Sequence, residues 1–391
     1  MITRMSLKFI AILLVIIFML LIVGIFLISR STNSEDSFDS DKNASSEEIY
    51  SSPLDQAMAE RIESSFKEMD CPEPKRHDPT YYSGQIIDAH FHISVMPDAD
   101  PGEPLGDPSE RVPYMGVDIT IDEIVCVFEY EGTKSALSFF SVFPRVADRH
   151  VEFANRVEQK YPDVFYPSIS PPDNKFATVD ADALEDMLTN YPGLFDAYGE
   201  IGLYANQNDP VGLSPDSERL KEIYPVVRQN GLVIYFHLGE GHKEEFEKIL
   251  NENPDINFIF HGDQLIQCAT CKQNLDEIDD ILENHSNAYY GIDELYGDVI
   301  TSRENMTKEE YIAHISDHDR WMEKDLKTWK GFIEKHPDQV MWGTDRGADE
   351  LWGLDPEVGW TMNDYARDFI SHLDADVQEK FAYKNAERLL K

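Results

Sequence analysis

The sequence predicts an α/β chain: a (β/α)8 TIM barrel, preceded by an N-terminal transmembrane helix and a disordered acidic linker. Three observations predict this. Across residues 81–391, short apolar runs alternate with longer amphipathic ones, which is the βα pattern. Those short runs number eight, the count that closes a (β/α)8 barrel. Near the start, Phe9–Ile28 is a run of twenty residues without a charge. At about 1.5 Å rise per residue, such a run spans the roughly 30 Å hydrocarbon core of a bilayer.

Taken in order, residues 1–30 form a cytoplasmic tip and an uncleaved signal anchor. The apolar run is longer than that of a cleaved signal peptide and ends in Leu-Ile-Ser-Arg rather than in a small-residue cleavage site. Arg4 and Lys8 precede it and an acidic stretch follows Arg30, so the N-terminus is expected inside and the rest of the chain outside the cytoplasm, on a single-pass anchor. Residues 31–80 form the linker, rich in Ser, Asp and Glu up to Ser52 and too polar to offset chain entropy. A short helix is expected from Leu54 to Met69, before Pro72, Pro74 and Pro79 break regular structure.

The barrel domain, residues 81–391, is expected to carry strands at Ile86–His92, Ile121–Phe128, Val164–Ser168, Ala197–Ile201, Leu232–His237, Asn257–His261, Ala288–Ile292 and Val340–Thr344. Leu220, Ile223, Tyr224 and Val227 recur at helical spacing, as do Met322, Leu326, Trp329 and Ile333, each marking the apolar face of a helix. Residues 297–337 exceed one connection and are read as two helices inserted before the last strand. A doubly wound open sheet is the rival architecture. It would more often show a Gly-rich phosphate turn after its first strand, where this chain has Asp-Ala-His-Phe-His.

The polar residues that end these runs carry the chemistry. Asp88, His90 and His92 alternate along the first strand and are expected on one face, with Asp88 accepting a ligand's ring N–H or otherwise orienting the site. Glu200, His237, His261 and Asp345 each end a later apolar run, and in a barrel such ends converge on one mouth. Arg346 could hold a substrate carboxylate or phosphate, or pair with acids. Asp293 and Glu294 face either the mouth or solvent; His242, His314 and His318 are read as helix residues. Trp342, Trp352, Trp360, Tyr204 and Tyr235 line a pocket or the core. Cys126 is expected to be simply buried, and Cys268 with Cys271 to form a local disulfide. The net charge of −40, from 34 Lys and Arg against 74 Asp and Glu, argues against nucleic acid as a partner.

These motifs resemble the amidohydrolase superfamily of metal-dependent hydrolases, in particular its amidohydrolase-2-like members. The resemblance covers about residues 85–391 and rests on Ile-Asp-Ala-His-Phe-His at 87–92, Gly-Glu-Ile-Gly-Leu at 199–203, His237, His261, Gly-Thr-Asp at 343–345 and Asn-Ala-Glu-Arg-Leu-Leu at 385–390. It implies that His90, His92 and Asp345 hold one metal, that His237 and His261 hold a second, and that Glu200 bridges them. Asp345 would also shuttle the proton. The nitrogen and carboxylate donors suit one or two Zn²⁺ ions, with Mn²⁺, Fe²⁺ and Ni²⁺ open. The expected enzyme is a membrane-anchored hydrolase of a small-molecule amide, ester, lactone or phosphoester. A decarboxylase of the same superfamily and a non-catalytic metal-binding surface domain are the alternatives.

Overall fold

Each strand in the second part of the chain pairs with the strand that follows it. The computed structural model describes residues 53–67, 69–93, 95–96, 119–142, 147–171, 180–204, 212–239, 241–261, 275–293, 295–298, 306–347 and 354–390. Among these are eight strands: β1 (Ile87–Ile93), β2 (Ser135–Ser141), β3 (Phe165–Ser170), β4 (Ala197–Gly202), β5 (Val233–His237), β6 (Phe258–His261), β7 (Ala288–Ile292) and β8 (Val340–Trp342). They run parallel in chain order. Just beyond β8, the Asp345 N–H donates to the His90 carbonyl (2.9 Å) and the His92 N–H to the Arg346 carbonyl (2.7 Å), so the last strand's extension is stitched to the first. Eight parallel strands with alternating helices and this seam make a (β/α)8 barrel.

Two apolar layers follow from the strand alternation. Ile87, Ala89, Leu137, Phe139, Val233, Tyr235, Ile259 and Met341 fill the barrel. A larger layer packs strands against helices and includes the expected face Leu220, Ile223, Tyr224 and Val227, all buried on a helix spanning Glu218–Asn230. The inserted region contains helices at Lys308–Ile315 and His318–Asp325, the second continuing through a π-helical turn (Leu326–Lys330) into Gly331–Lys335. Met322, Trp329 and Ile333 are buried along it, as their spacing predicted.

One expected strand is a helix. Ile121–Phe128 lies within Ile121–Glu131, here α2, and the second strand is Ser135–Ser141 instead. Thr120 and Glu123 form a capping box at the start, and Gly132, at φ 84°, ends the helix in the left-handed conformation. Ile121, Ile124, Val127 and Phe128 are buried at a helical period that the continuous apolar run conceals.

The chain divides into two units, Met1–Tyr50 and Ser51–Lys391. The apolar run Phe9–Ile28 lies outside the described residues; among those described, no helix is long and apolar enough to cross a membrane. The helix expected in the linker, α1 (Pro53–Ser65), belongs to the barrel unit: it buries Met58 and Ile62, and Asp55 receives two hydrogen bonds from Arg149. Cys126 is not merely buried, because it forms a disulfide with Cys71 that ties the segment before β1 to α2. Cys268 and Cys271 lie outside the described residues.

Candidate metal centre

The alternation expected of β1 breaks where the site is built. Pairing with β2 shifts register between Asp88 and Phe91. Ile87 and Ala89 therefore point into the barrel, while Phe91 packs outside it, 4.9 Å from the Phe128 ring. His90 and His92 reach the centre of the mouth, but Asp88 goes to the seam. There its Oδ1 accepts the backbone N–H groups of His90 and Thr344, both at 3.0 Å, and its Oδ2 accepts the Thr344 hydroxyl. Of the two roles expected of Asp88, it does not meet a ligand's ring N–H but orients the site, through the two backbones that carry His90 and Asp345.

On β4 a second register shift, between Tyr198 and Ile201, turns Glu200 inward. Gly199 has φ 135°, and a Cβ there would overlap the Tyr235 carbonyl oxygen, so only glycine lets β4 pass β5 this closely. Asp345 itself takes φ 51°, a left-handed conformation that a side chain bears at some cost and that Asp tolerates better than most.

The six expected side chains converge. His90 Nε2 and His92 Nε2 lie 3.2 Å apart, and Asp345 Oδ1 sits 3.1 Å from the first and 3.2 Å from the second. Glu200 stands between two histidine pairs: Oε2 is 3.6 Å from His90 and 3.4 Å from His92, while Oε1 is 2.9 Å from His237 Nδ1 and 2.6 Å from His261 Nε2. Two overlapping groups of donors are close enough to share a cation, His90 with His92 and Asp345, and His90 with Glu200 and His261. Geometry thus draws His90 into the second group and leaves His237 attached through Glu200.

A carboxylate that sequence reasoning left aside completes the cluster. Asp293, just past β7 and 3% exposed, places Oδ2 3.1 Å from His90 Nδ1 and 2.9 Å from His261 Nδ1. One oxygen thereby fixes both rings with Nε2 facing the centre, the role carboxylates play behind ligating imidazoles. The signal was present: Gly-Ile-Asp ends β7 much as Gly-Thr-Asp follows β8. Glu294 lies outside the described residues.

Charge in this cluster is demanding. For Glu200, burial works to raise the pKa, yet His261, His237 and His90 hold it well below the usual carboxylate range. For His90, burial opposes protonation, but the oxygens of Tyr235, Asp345 and Asp293 lift it well above the ordinary imidazole value. Three carboxylates around four imidazoles call for positive charge, which a proton or a metal ion supplies. The spacing also fits a metal. Donors at 2.0–2.1 Å from a tetrahedral ion lie about 3.3 Å from one another, and the His90, His92 and Asp345 donors are separated by 3.1 to 3.2 Å.

Arg346 does not face the mouth. It is 2% exposed and its guanidinium forms a fork on buried Glu131, so the expected grip on a substrate anion is corrected. Asp345 and Arg346 are neighbours in the chain and leave it in different directions. His314 stacks on Trp321 and His318 on Tyr365, while His242 precedes a helix at Lys243–Glu252; none joins the site. Trp342 and Tyr235 are core, Trp360 stacks on His77, and Tyr204 lies 4.4 Å from the His237 ring, ring to ring. Trp352 is outside the described residues.

Comparison with known proteins places the barrel in a family. Residues 87–391 match the family described as Amidohydrolase. An amidohydrolase from Burkholderia multivorans with bound HEPES superposes with a TM-score of 0.50 at 11% identity, covering 78% of this chain and 99% of that one. A protein from Agrobacterium tumefaciens also gives 0.50 at 11% identity, over 81% and 97%. The 5-carboxyvanillate decarboxylase of Sphingomonas paucimobilis gives 0.41 at 14%, over 78% and 98%. At such identities the likeness is one of fold. No curated protein matches. The family match spans the barrel from the first histidine strand to the last described helix, and with it the chain belongs to the amidohydrolase family, as a metal-dependent enzyme of that superfamily.

Proposed function

We propose that the protein is a membrane-anchored, extracytoplasmic hydrolase that breaks the acyl C–N or C–O bond of a small-molecule amide, ester or lactone. The observation that carries the reading is Asp345. Its Oδ1 lies within 3.2 Å of both β1 histidines, and its side chain, 23% exposed, is the most accessible carboxylate of the cluster. It can therefore serve the centre and still meet a substrate. His90, His92 and Asp345 would hold one cation, and His90 with Glu200 and His261 is the second group that could hold one, with His237 attached through Glu200. A bound divalent ion, Zn²⁺ or another first-row metal, supplies Lewis-acid polarisation and makes water more acidic at neutral pH.

The chain's own residues do the rest. Asp345 takes the proton from the attacking water and returns it to the leaving group. Glu200 offers one oxygen to each histidine pair and balances the charge, while Asp293 keeps two imidazoles in the tautomer that presents Nε2. Because Arg346 is committed to Glu131, carbonyl substrates fit this centre better than phosphoesters. The apolar run Phe9–Ile28 and the Cys71–Cys126 bridge both support an oxidising compartment beyond a membrane.

The test is an assay of the Zn²⁺- or Mn²⁺-loaded protein against lactones, esters, amides and phosphoesters, with carbon dioxide release followed from small carboxylic acids in parallel. Hydrolysis that Asp345→Asn abolishes supports the proposal. Carbon dioxide release without hydrolysis would make it a decarboxylase, and failure to bind any cation would sink the metal-dependent reading. Protease shaving of intact cells decides the location: a barrel protected from added protease contradicts the outward orientation.

A further inference from the structure

Next to Asp345 the fold buries charges whose placement stability alone does not explain. Arg346 donates from Nη1 to Glu131 Oε2 (2.8 Å), from Nη2 to Glu131 Oε1 (2.6 Å) and from Nε to the Thr344 hydroxyl (3.3 Å). Glu131 closes α2 and is fully buried. Its Oε1 also accepts the Thr133 hydroxyl, which accepts from Asn363 (3.0 Å), whose own carbonyl accepts from Arg367 Nε (2.6 Å). The seam of the barrel is thus tied to α2 and to the helix Pro356–Ser371, here α12.

This arrangement has two costs. A buried ion pair is often no more stabilising than apolar residues of the same size. In addition, α12 carries Gly359 within the helix, where glycine is less stable than alanine. A Cβ at Gly359 would overlap both the Glu131 carboxylate and the Arg346 guanidinium, so the glycine makes room for the pair.

What the pair holds is the backbone of the site. Arg346 stands between two left-handed residues, Asp345 at φ 51° and Gly347 at φ 91°. A Cβ at Gly347 would overlap the His92 carbonyl. The Asp345 N–H reaches the His90 carbonyl and the Arg346 carbonyl receives the His92 N–H, so the turn is registered against both β1 histidines. We infer that the Arg346–Glu131 pair is a positioning element that pins this turn and so sets the distance of the Asp345 carboxylate from His90 and His92. The inference rests on the proposed role of Asp345 as a cation ligand and proton carrier.

The experiment compares Arg346→Met, Arg346→Lys and the double variant Glu131→Met with Arg346→Met in the full chain. Zn²⁺ affinity is read by competition with a chromophoric chelator, and hydrogen exchange at the Asp345 amide is read without metal. The single Arg346→Met variant strands the buried Glu131 charge, whereas the double variant removes both charges of the pair; Asp88, 4.0 Å from Arg346, remains on Thr344 and the His90 N–H. Expected is a loss of about 10–100-fold in Zn²⁺ affinity in the folded double variant. Its Asp345 amide exchanges faster while β5 and β6 stay protected, and Arg346→Lys falls in between. Wild-type affinity and wild-type Asp345 protection in the folded double variant would overturn the inference and leave the pair a packing feature. If the wild type itself binds no Zn²⁺, the metal reading fails, and the Asp345 amide alone still decides the positioning role.

Discussion

At the scale of single residues, the centre was legible wherever a polar side chain ended an apolar run. His90, His92, Glu200, His237, His261 and Asp345 meet within hydrogen-bonding range because strand ends in a barrel must converge. For Asp88 and Arg346 two roles each stayed open, and the one each takes, orienting backbone and pairing with an acid, depends on a register shift and a left-handed turn that leave no mark in residue spacing. Asp293 was seen without a role, since nothing in the sequence says which imidazole nitrogen lies beside it. Two predictions belong here. Asp345→Asn should lower kcat by about 10²–10⁴-fold with the thermal transition nearly unchanged, measured by steady-state rates and circular dichroism. Asp293→Ala should weaken Zn²⁺ binding by about 10–100-fold, and Asp293→Asn less, because its amide oxygen can still accept from both Nδ1–H groups; equal affinities in calorimetric titrations would count against that orienting role.

At the scale of elements, the misread segment is instructive. Ile121–Phe128 reads as a strand because five consecutive apolar residues at Ile124–Phe128 hide the period, whereas the true β2, Ser-Ala-Leu-Ser-Phe-Phe-Ser, is broken by serine at every third position and shows no strand alternation. The capping signature Thr120-x-x-Glu123 was the signal that could have corrected it. Replacing Thr120 with Ala should cost about 1 kcal/mol in a urea melt. A pH effect resides at the entrance to β4. Asp196 bridges β3 and β5 through its backbone, and burial, aided by the nearby charge of Glu158, pushes its carboxyl up to about 7. The folded state therefore holds this proton more tightly than the unfolded chain. Its stabilising contribution is full below about pH 4, near the ordinary Asp value, and is lost as pH rises through about 7. Asp196→Asn should then raise the melting temperature at pH 8, by an amount that shrinks steadily toward pH 4.

At the scale of the whole molecule, the barrel followed from counting runs, and the family from motifs spread along its length. The pairing of Cys71 with Cys126 did not, because the proximity of a segment before β1 to the second helix is a property of the assembled fold. With the two cysteines 55 positions apart in sequence, chain-entropy reasoning gives the bridge about 4 kcal/mol. Denaturation with and without reductant, set against Cys71→Ser with Cys126→Ser, measures it: the double variant should match the reduced wild type. The seam between β1 and β8 has a consequence in time as well as in space. His92 and Asp345 are 253 residues apart in sequence, so a chain emerging from a ribosome carries its first histidines long before the carboxylate that completes them. The group of His90, His92 and Asp345 is therefore complete only after the eighth strand, and a polypeptide cut short before Gly343-Thr344-Asp345 would leave synthesis with that group unfinished.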